Sequence, residues 1–197
     1  MCCTLCVGSP AAPTLYRNNK SEPCEFASRR DTHRNGAFDI GHQCRYPMHI
    51  NLDDFLDTGS GRIWTVERNA EAWKRSFAAF AIALEQATQK TTVYVLVGAQ
   101  ASGKTTWARA KAAEDPNAIL FDAIFVKKSE RLPILKSARG AGVPVIAVWL
   151  KTPLDVCVAR NAVRSVNELC DEEGLRNVFA ALEPPSLEEG FVGIVEV

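Results

Sequence analysis

Short, almost continuously apolar runs alternate with helical patterns over the last three quarters of the chain. An apolar run of strand length without polar alternation is typical of a strand that is buried on both faces. Strands are predicted at 92–97, 118–122, 143–150 and 191–197, and a short strand or turn at 50–55. Helices are predicted between them at 105–113, 129–139 and about 153–164. The alternation predicts an α/β fold with helices on both faces of a parallel β-sheet, a three-layer α/β/α architecture.

The predicted helices are bounded by residues that favour helix ends. Thr65 and Asp171 are predicted to cap the helices that follow them, and Thr152 is predicted to cap a helix that begins with Pro153. An apolar stripe at helical spacing indicates that the first helix packs one face into the core. The stripe consists of Trp73, Phe77, Phe80 and Leu84.

The segment between the strand at 92–97 and the helix at 105–113 carries a phosphate-binding pattern. Residues 98–105 read G-A-Q-A-S-G-K-T, which fits G-x-x-x-x-G-K-[ST] at every fixed position. The glycines permit a backbone whose N–H groups converge on phosphate oxygens, and the next helix adds the positive end of its dipole. Lys104 is predicted to reach the β- and γ-phosphates of ATP, and the Thr105 hydroxyl to ligate Mg²⁺. The predicted nucleotide-binding residues are Gly98, Ala99, Gln100, Ala101, Ser102, Gly103, Lys104, Thr105 and Thr106.

A single acid, Asp122, ends the next apolar run. It is therefore predicted at the carboxyl edge of the sheet, where open parallel sheets bind their ligands. A carboxylate at this edge can help to hold Mg²⁺, or it can accept the proton of an acceptor hydroxyl. The sequence leaves both roles open, and a turn or cap aspartate is the structural alternative.

Other charged residues are candidates for a part in phosphoryl transfer. Arg160 and Arg164 are four apart in a predicted helix, so they share a face, and guanidinium groups match phosphate geometry. A solvated basic face is the alternative. Asp53 and Asp54 mark either a metal or acceptor site or an ordinary turn. Arg131 is predicted to lie at a solvated helix start. The alternative is that its side chain reaches the acceptor pocket.

Composition changes near Met48. Residues 1–47 are rich in Pro, Ser, Asn, Arg and Cys without periodicity, so they are predicted to be a disordered leader, or sequence ahead of a reading start at Met48. The folded domain is predicted over 48–197. The alternative to a disordered leader is a zinc site, although the candidate ligands lack regular zinc-ligand spacing. These ligands are Cys24, His33, His42, Cys44 and His49.

The cysteines and the charge balance narrow the class of protein. Seven cysteines at irregular spacing favour a reduced chain over a disulfide framework, and Cys157 and Cys170 are predicted to be packing residues rather than nucleophiles. The chain has 23 lysines and arginines and 23 aspartates and glutamates, so its formal net charge is zero. Binding to a long nucleic acid is therefore possible but not favoured. The apolar run 77–84 is too short to span a bilayer, and no secretory signal is predicted. A cytoplasmic protein without a membrane partner is expected.

Four stretches carry a family resemblance. G-A-Q-A-S-G-K-T-T-W-A-R looks like a phosphate loop with its helix, and F-D-A-I-F-V-K-K-S-E-R-L looks like an aspartate-ended strand before an arginine-bearing helix. T-P-L-D-V-C-V-A-R-N-A-V-R looks like an arginine-bearing lid, and L-E-P-P-S-L-E-E-G-F looks like the segment before a last strand. On these stretches, residues 93–197 resemble the P-loop kinases of the polynucleotide-kinase-like and zeta-toxin-like group, which are AAA-type ATP-binding proteins. The resemblance implies a P-loop NTPase fold and lid roles for Arg160 and Arg164.

One departure from that group concerns the acceptor base. In those kinases a strand ending in an aspartate pair usually follows the phosphate-loop helix. Here Asp115 and Pro116 come almost directly after that helix, and the strand at 118–122 leaves no room for the extra segment. The stretch H-I-N-L-D-D-F, which precedes the phosphate loop, resembles the missing strand. It is predicted to occupy the same place from the other end of the chain, as a circularly rearranged topology allows.

The sequence therefore predicts a kinase that moves the γ-phosphoryl group of ATP to a hydroxyl of a nucleotide, a nucleic-acid end or a small metabolite. Two alternatives stay open. One is an ATPase or switch without an organic acceptor, and the other is a nucleotide-binding module without catalysis. The candidate catalytic residues are Lys104, Asp122, Arg160, Arg164, Asp53 and Asp54.

Overall fold

A computed structural model describes residues 49–57 and 63–197 of the 197-residue chain. The predicted leader at 1–47 and the predicted loop at 58–61 lie outside the described residues. Of the residues in the zinc alternative, His49 is the one that falls inside them.

The described residues form a five-stranded parallel sheet in the order β1-β3-β2-β4-β5. The strands are β1 (His49–Asn51), β2 (Thr92–Val97), β3 (Ala118–Asp122), β4 (Val145–Trp149) and β5 (Gly193–Glu196). Strand β3, which is covered on both faces, is buried along its whole length, as its continuous apolar run predicts. The predicted parallel sheet is thereby confirmed.

Five α-helices connect or flank these strands in the described residues. They are α1 (Val66–Glu85), α2 (Lys104–Glu114), α3 (Lys128–Gly140), α4 (Leu154–Ala162) and α5 (Glu172–Ala181). Helices α1 and α3 share one hydrophobic core with one face of the sheet, where Phe80 and Ile134 pack with Phe121. Helix α2 covers the other face, where Ala108 packs with Leu120. The three-layer α/β/α architecture is therefore confirmed.

The short strand β1 lies at the edge of the sheet beside β3. Ile50 is in register with Phe121, and Asn51 is in register with Asp122. Helix α1 then leads from this edge to β2, and its aromatic stripe holds it on the sheet, with the rings of Trp73 and Phe121 6.4 Å apart. A strand from before the phosphate loop thus occupies the edge position, as the rearranged topology predicts.

Two predicted caps are confirmed and one is wrong. Thr65 Oγ1 accepts a hydrogen bond from Arg68 N at 3.1 Å, and Asp171 Oδ2 accepts one from Gly174 N at 2.9 Å. The cap position of α4 is held by Pro153, not by Thr152. The Thr152 hydroxyl instead donates to the Ser102 carbonyl at 2.8 Å, because the strand end before α4 lies beside the loop after β2.

The predicted end of the α4 helix also needs correction. The helix ends at Ala162, so Arg164 lies in the turn that follows it and does not share a helical face with Arg160. The Arg164 N–H still donates to the Asn161 carbonyl at 3.1 Å, which keeps the turn close to the helix end.

Candidate functional site

The loop between β2 and α2 is tightly folded, and the two glycines of the motif explain how. A Cβ added at Gly98 would lie 2.8 Å from Ser102 Oγ and 3.2 Å from Leu150 Cβ, so a side chain there would press on the loop itself. Gly103 has a φ of 101°, in the left-handed region that favours glycine. Ala101 also has a positive φ, 59°, which is uncommon for a residue with a Cβ and is typical of functional loops.

Helix α2 begins inside this loop, with Gly103 as its cap residue. The N–H groups of a first helical turn have no acceptor within the helix, and they carry the positive end of its dipole. They therefore form a site for an anion such as a phosphate group. Two more polar groups of the loop are buried without a hydrogen-bond partner among the described residues, Gln100 Oε1 and Ser102 Oγ, as is typical of a ligand site.

The Lys104 side chain is folded into the loop. Its Nζ donates to the carbonyl oxygens of Gly98 at 3.0 Å and Ala99 at 2.7 Å, and the residue is 8% exposed. Burial lowers the pKa of this amine, while the nearby carboxylates of Asp122 and Asp53 act in the opposite direction. A phosphate bound by the loop amides would lie beside this ammonium group.

The carboxylate of Asp122 lies at the carboxyl end of β3, next to the start of α2. Its Oδ2 accepts a hydrogen bond from Thr105 Oγ1 at 2.7 Å, so the two predicted metal ligands are in contact. Mg²⁺ prefers oxygen ligands and is usually held by one or two protein groups together with substrate phosphates and water. Among the residues that the structure describes, no cluster of three or more His, Cys, Asp or Glu side chains could hold a metal alone. The Thr105–Asp122 pair therefore fits a magnesium ion shared with a bound phosphate.

His49 is a neighbour of this pair that the sequence did not predict. Its Nε2 lies 3.2 Å from Asp122 Oδ2, which also accepts the Thr105 hydrogen bond. His49 is in register with Leu120, two residues before Asp122, so both side chains project from the same face of the sheet. The family-like stretch H-I-N-L-D-D-F begins with this histidine, which was the available signal.

Asp53 and Asp54 belong to a 3₁₀ turn, Leu52–Phe55, directly after β1. Asn51 organises the turn: its Oδ1 accepts from Asp53 N and its Nδ2 donates to Asp54 Oδ1, both at 3.2 Å. The Asp53 carboxylate raises the pKa of Lys104, so it acts on the phosphate loop, whereas Asp54 is exposed. The structure thus brings Asp53 to the same edge of the sheet as Lys104 and Asp122.

The two predicted lid arginines approach the loop from α4 and the turn that follows. Arg160 Nη1 lies 3.5 Å from the Ser102 carbonyl, and the positive charge of Arg164 contributes to the lowered pKa of Lys104. Both arginines are exposed. Helices α4 and α5 pack against the phosphate loop through a small apolar cluster that contains Ala99, Cys157 and Leu175. Burial raises the pKa of the Cys157 thiol, as expected of a packing residue.

Arg131 lies in neither of its predicted environments. The side chain is fully buried, with Nε and Nη2 donating to the Glu189 carboxylate at 2.8 and 2.9 Å. Its Nη1 donates to the Glu183 carbonyl at 3.1 Å. The guanidinium group therefore ties the segment after α5 to the first turn of α3, and it is neither solvated nor available to an acceptor.

A comparison with protein families places this architecture. A family model described as an AAA domain matches residues 110–185, less than half of the chain. The match begins inside α2 and runs past α5, so β1 and the phosphate loop lie outside it. No curated protein matches the chain. In residues 49–57 and 63–197, no helix has both the length and the apolar character needed to cross a bilayer. The described residues thus form a parallel α/β sheet of the P-loop NTPase type, and residues 110–185 of the chain are similar to an AAA domain.

Proposed function

We propose that this protein is an ATP-dependent kinase that transfers the γ-phosphoryl group to a hydroxyl acceptor. The observation that carries the proposal is the position of Asp53. Strand β1 brings this acid to the sheet edge where Lys104 and the Thr105–Asp122 pair lie, and its charge acts on Lys104. A carboxylate beside a phosphate loop supplies what transfer needs and what nucleotide binding alone does not.

Binding of the triphosphate rests on the loop and on Lys104. The first-turn amides of α2 hold phosphate oxygens, and Lys104 exchanges its two carbonyl partners for the β- and γ-phosphates. Thr105 and Asp122 would hold Mg²⁺, which when bound neutralises charge on the β- and γ-oxygens. Arg160, whose Nη1 lies 3.5 Å from the Ser102 carbonyl, and Arg164 in the turn that follows would stabilise the charge of the transferred group from the α4 side.

Asp53 is the group that orients the acceptor. The acceptor oxygen attacks the γ-phosphorus, the bond from phosphorus to the β,γ-bridging oxygen breaks, and ADP leaves. The hydroxyl proton passes to the Asp53 carboxylate. Asp122 is a weaker candidate for this step, because its Oδ2 already accepts from Thr105 and contacts His49. Asp54 is weaker as well, because it is exposed, whereas Asp53 is half-buried and its charge acts on Lys104.

The acceptor class is tested with γ-labelled ATP, Mg²⁺ and separate pools of nucleosides and nucleotides, oligonucleotides with 5′-hydroxyl ends, and hydroxyl metabolites. We expect label to enter one pool, and the balanced charge of the chain favours a small acceptor over a long nucleic acid. Label that appears only in free phosphate, at a rate unchanged by every pool, would instead identify an ATPase. ATP binding without turnover would identify a binding module.

Asp53→Asn is expected to lower the rate of transfer by about 10²–10⁴-fold while ATP affinity changes little, because general-base catalysis contributes about that much. Asp54→Asn is the matched control, since it changes the adjacent acid in the same turn. The measurement is kcat with the labelled acceptor, together with the Kd of Mg·ATP. Equal loss of kcat in both variants, or unchanged kcat in Asp53→Asn, would remove Asp53 from the acceptor step.

A further inference from the structure

The Asn161 side chain closes the base of the loop between α4 and α5. Asn161 Nδ2 donates to the Cys170 carbonyl at 2.7 Å, and Cys170 N donates to Asn161 Oδ1 at 3.1 Å. One amide group thus engages both backbone groups of a residue nine positions later. Asn161 is 4% exposed, so water does not compete well for these hydrogen bonds.

The loop that Asn161 closes lies on the surface of the protein. Residues 162–169 are all exposed, so no core packing fixes their backbone. Within the loop, Glu168 N and Leu169 N both donate to the Ser165 carbonyl at 2.9 Å, which is a local turn. The position of residues 162–169 relative to the phosphate loop therefore depends on the two hydrogen bonds between Asn161 and Cys170.

This loop carries Arg164, four residues after Arg160, whose Nη1 lies 3.5 Å from the Ser102 carbonyl of the phosphate loop. The charge of Arg164 also acts on Lys104. The neighbouring Arg160 is on helix α4 itself, and the helix fixes its backbone. Arg164 lies beyond the helix end, where its N–H donates to the Asn161 carbonyl. Asn161 is thus linked to Arg164 through its backbone, and to the far end of the loop through its side chain.

We propose that Asn161 is a positioning residue, which closes the loop at 162–169 and thereby holds Arg164 over the phosphate site. This inference rests on the kinase function proposed above. Among the described residues, no hydrogen bond joins Asn161 to the phosphate loop, so its effect passes through the backbone of residues 162–169. Without the closure, the loop samples more conformations, and only a fraction of molecules present Arg164 to the nucleotide.

Asn161→Ala is expected to lower kcat for ATP turnover by about 10–100-fold, because misplacement of a charge-stabilising group by about an ångström costs up to that much. Asn167→Ala is the matched control: it removes an exposed asparagine of the same loop and leaves the closure intact. Its kcat should equal that of the unaltered protein. Asn161→Asp keeps the acceptor for Cys170 N but places an oxygen against the Cys170 carbonyl, so an intermediate loss is expected.

The comparison with Arg164→Ala decides between positioning and mere stabilisation. If Asn161 acts through Arg164, the double variant Asn161→Ala/Arg164→Ala will have the kcat of Arg164→Ala alone. Multiplying losses in the double variant would overturn the inference, as would an unchanged kcat in both Asn161 variants. If Asn161→Ala unfolds below the assay temperature, the same comparison with Asn161→Asp decides. Failure of the unaltered protein to bind Mg·ATP would overturn the kinase proposal and this inference together, whereas normal turnover with unaffected Asn161 variants would overturn this inference alone.

Discussion

Lys104→Met is expected to lower ATP turnover by at least about 10²-fold, the typical cost of removing one preorganised charge-stabilising group. The amine is held inside the phosphate loop by the carbonyls of Gly98 and Ala99, where a bound triphosphate would meet it. Methionine keeps the length of the side chain but removes the charge and both hydrogen bonds to the loop carbonyls, so the loop loses its attraction for phosphate. The measurement is kcat and Mg·ATP affinity. Lys104→Arg, which keeps the positive charge, is the control.

The same variant has a second, independent readout in the pH dependence of stability. Burial lowers the pKa of Lys104 in the folded protein, whereas the unfolded chain keeps the ordinary value of about 10.4. Between these two pKa values the unfolded chain binds more protons, so the free energy of unfolding rises with pH. The unaltered protein should therefore gain stability relative to Lys104→Met as the pH rises toward that ordinary value. A stability difference between the two proteins that stays constant up to this pH would contradict a buried Lys104 amine. Unchanged turnover in Lys104→Met would contradict its role in binding phosphate.

Local patterns predicted much of the sheet and the phosphate loop. The strands at 92–97 and 118–122 have the predicted bounds, because a continuous apolar run between turn residues determines both ends of a buried strand. The glycines, Lys104 and Thr105 are placed by a motif eight residues long, so their proximity needs no knowledge of the tertiary fold. The end of helix α4 was less predictable, because residues 163–173 contain no glycine or proline and sequence propensity sets such boundaries only loosely.

The contacts that the sequence did not predict join residues far apart in the chain. His49 and Asp122 are 73 positions apart, and Thr152 and Ser102 are 50 apart. Each depends on which strand ends meet at the edge of the sheet, and hydrophobic periodicity does not specify strand order. The position of β1 in the sheet could be predicted only from the family-like stretch H-I-N-L-D-D-F. That stretch indicated that a strand before the phosphate loop takes the place of a strand after it. In a sheet of parallel strands, an acid reaches the same edge from either direction along the chain.

Arg131→Ala is expected to lower the free energy of unfolding by about 3–5 kcal/mol, and the Tm by roughly 10 °C. The variant leaves the Glu189 carboxylate, of which 7% is exposed, without its guanidinium partner, and leaves the Glu183 carbonyl without a donor. The charge run K-K-S-E-R gave this residue the appearance of a solvated helix start, because its acidic partner lies 58 positions away. Denaturant and thermal unfolding measure the effect.

Lys136→Ala is the control for this prediction, because it removes an exposed cation from the same helix and should change stability by less than about 0.5 kcal/mol. Most of the loss in Arg131→Ala comes from stranding a buried charge, so removing both partners in Arg131→Met/Glu189→Leu should restore part of the stability. The restoration is incomplete, since Ser186 N also donates to the Glu189 carboxylate at 2.9 Å. The contradicting result is a double variant whose loss in the free energy of unfolding equals the sum of the losses in the two single variants. The two side chains would then contribute separately, through packing. The buried ion pair would not be what joins the C-terminal segment to α3.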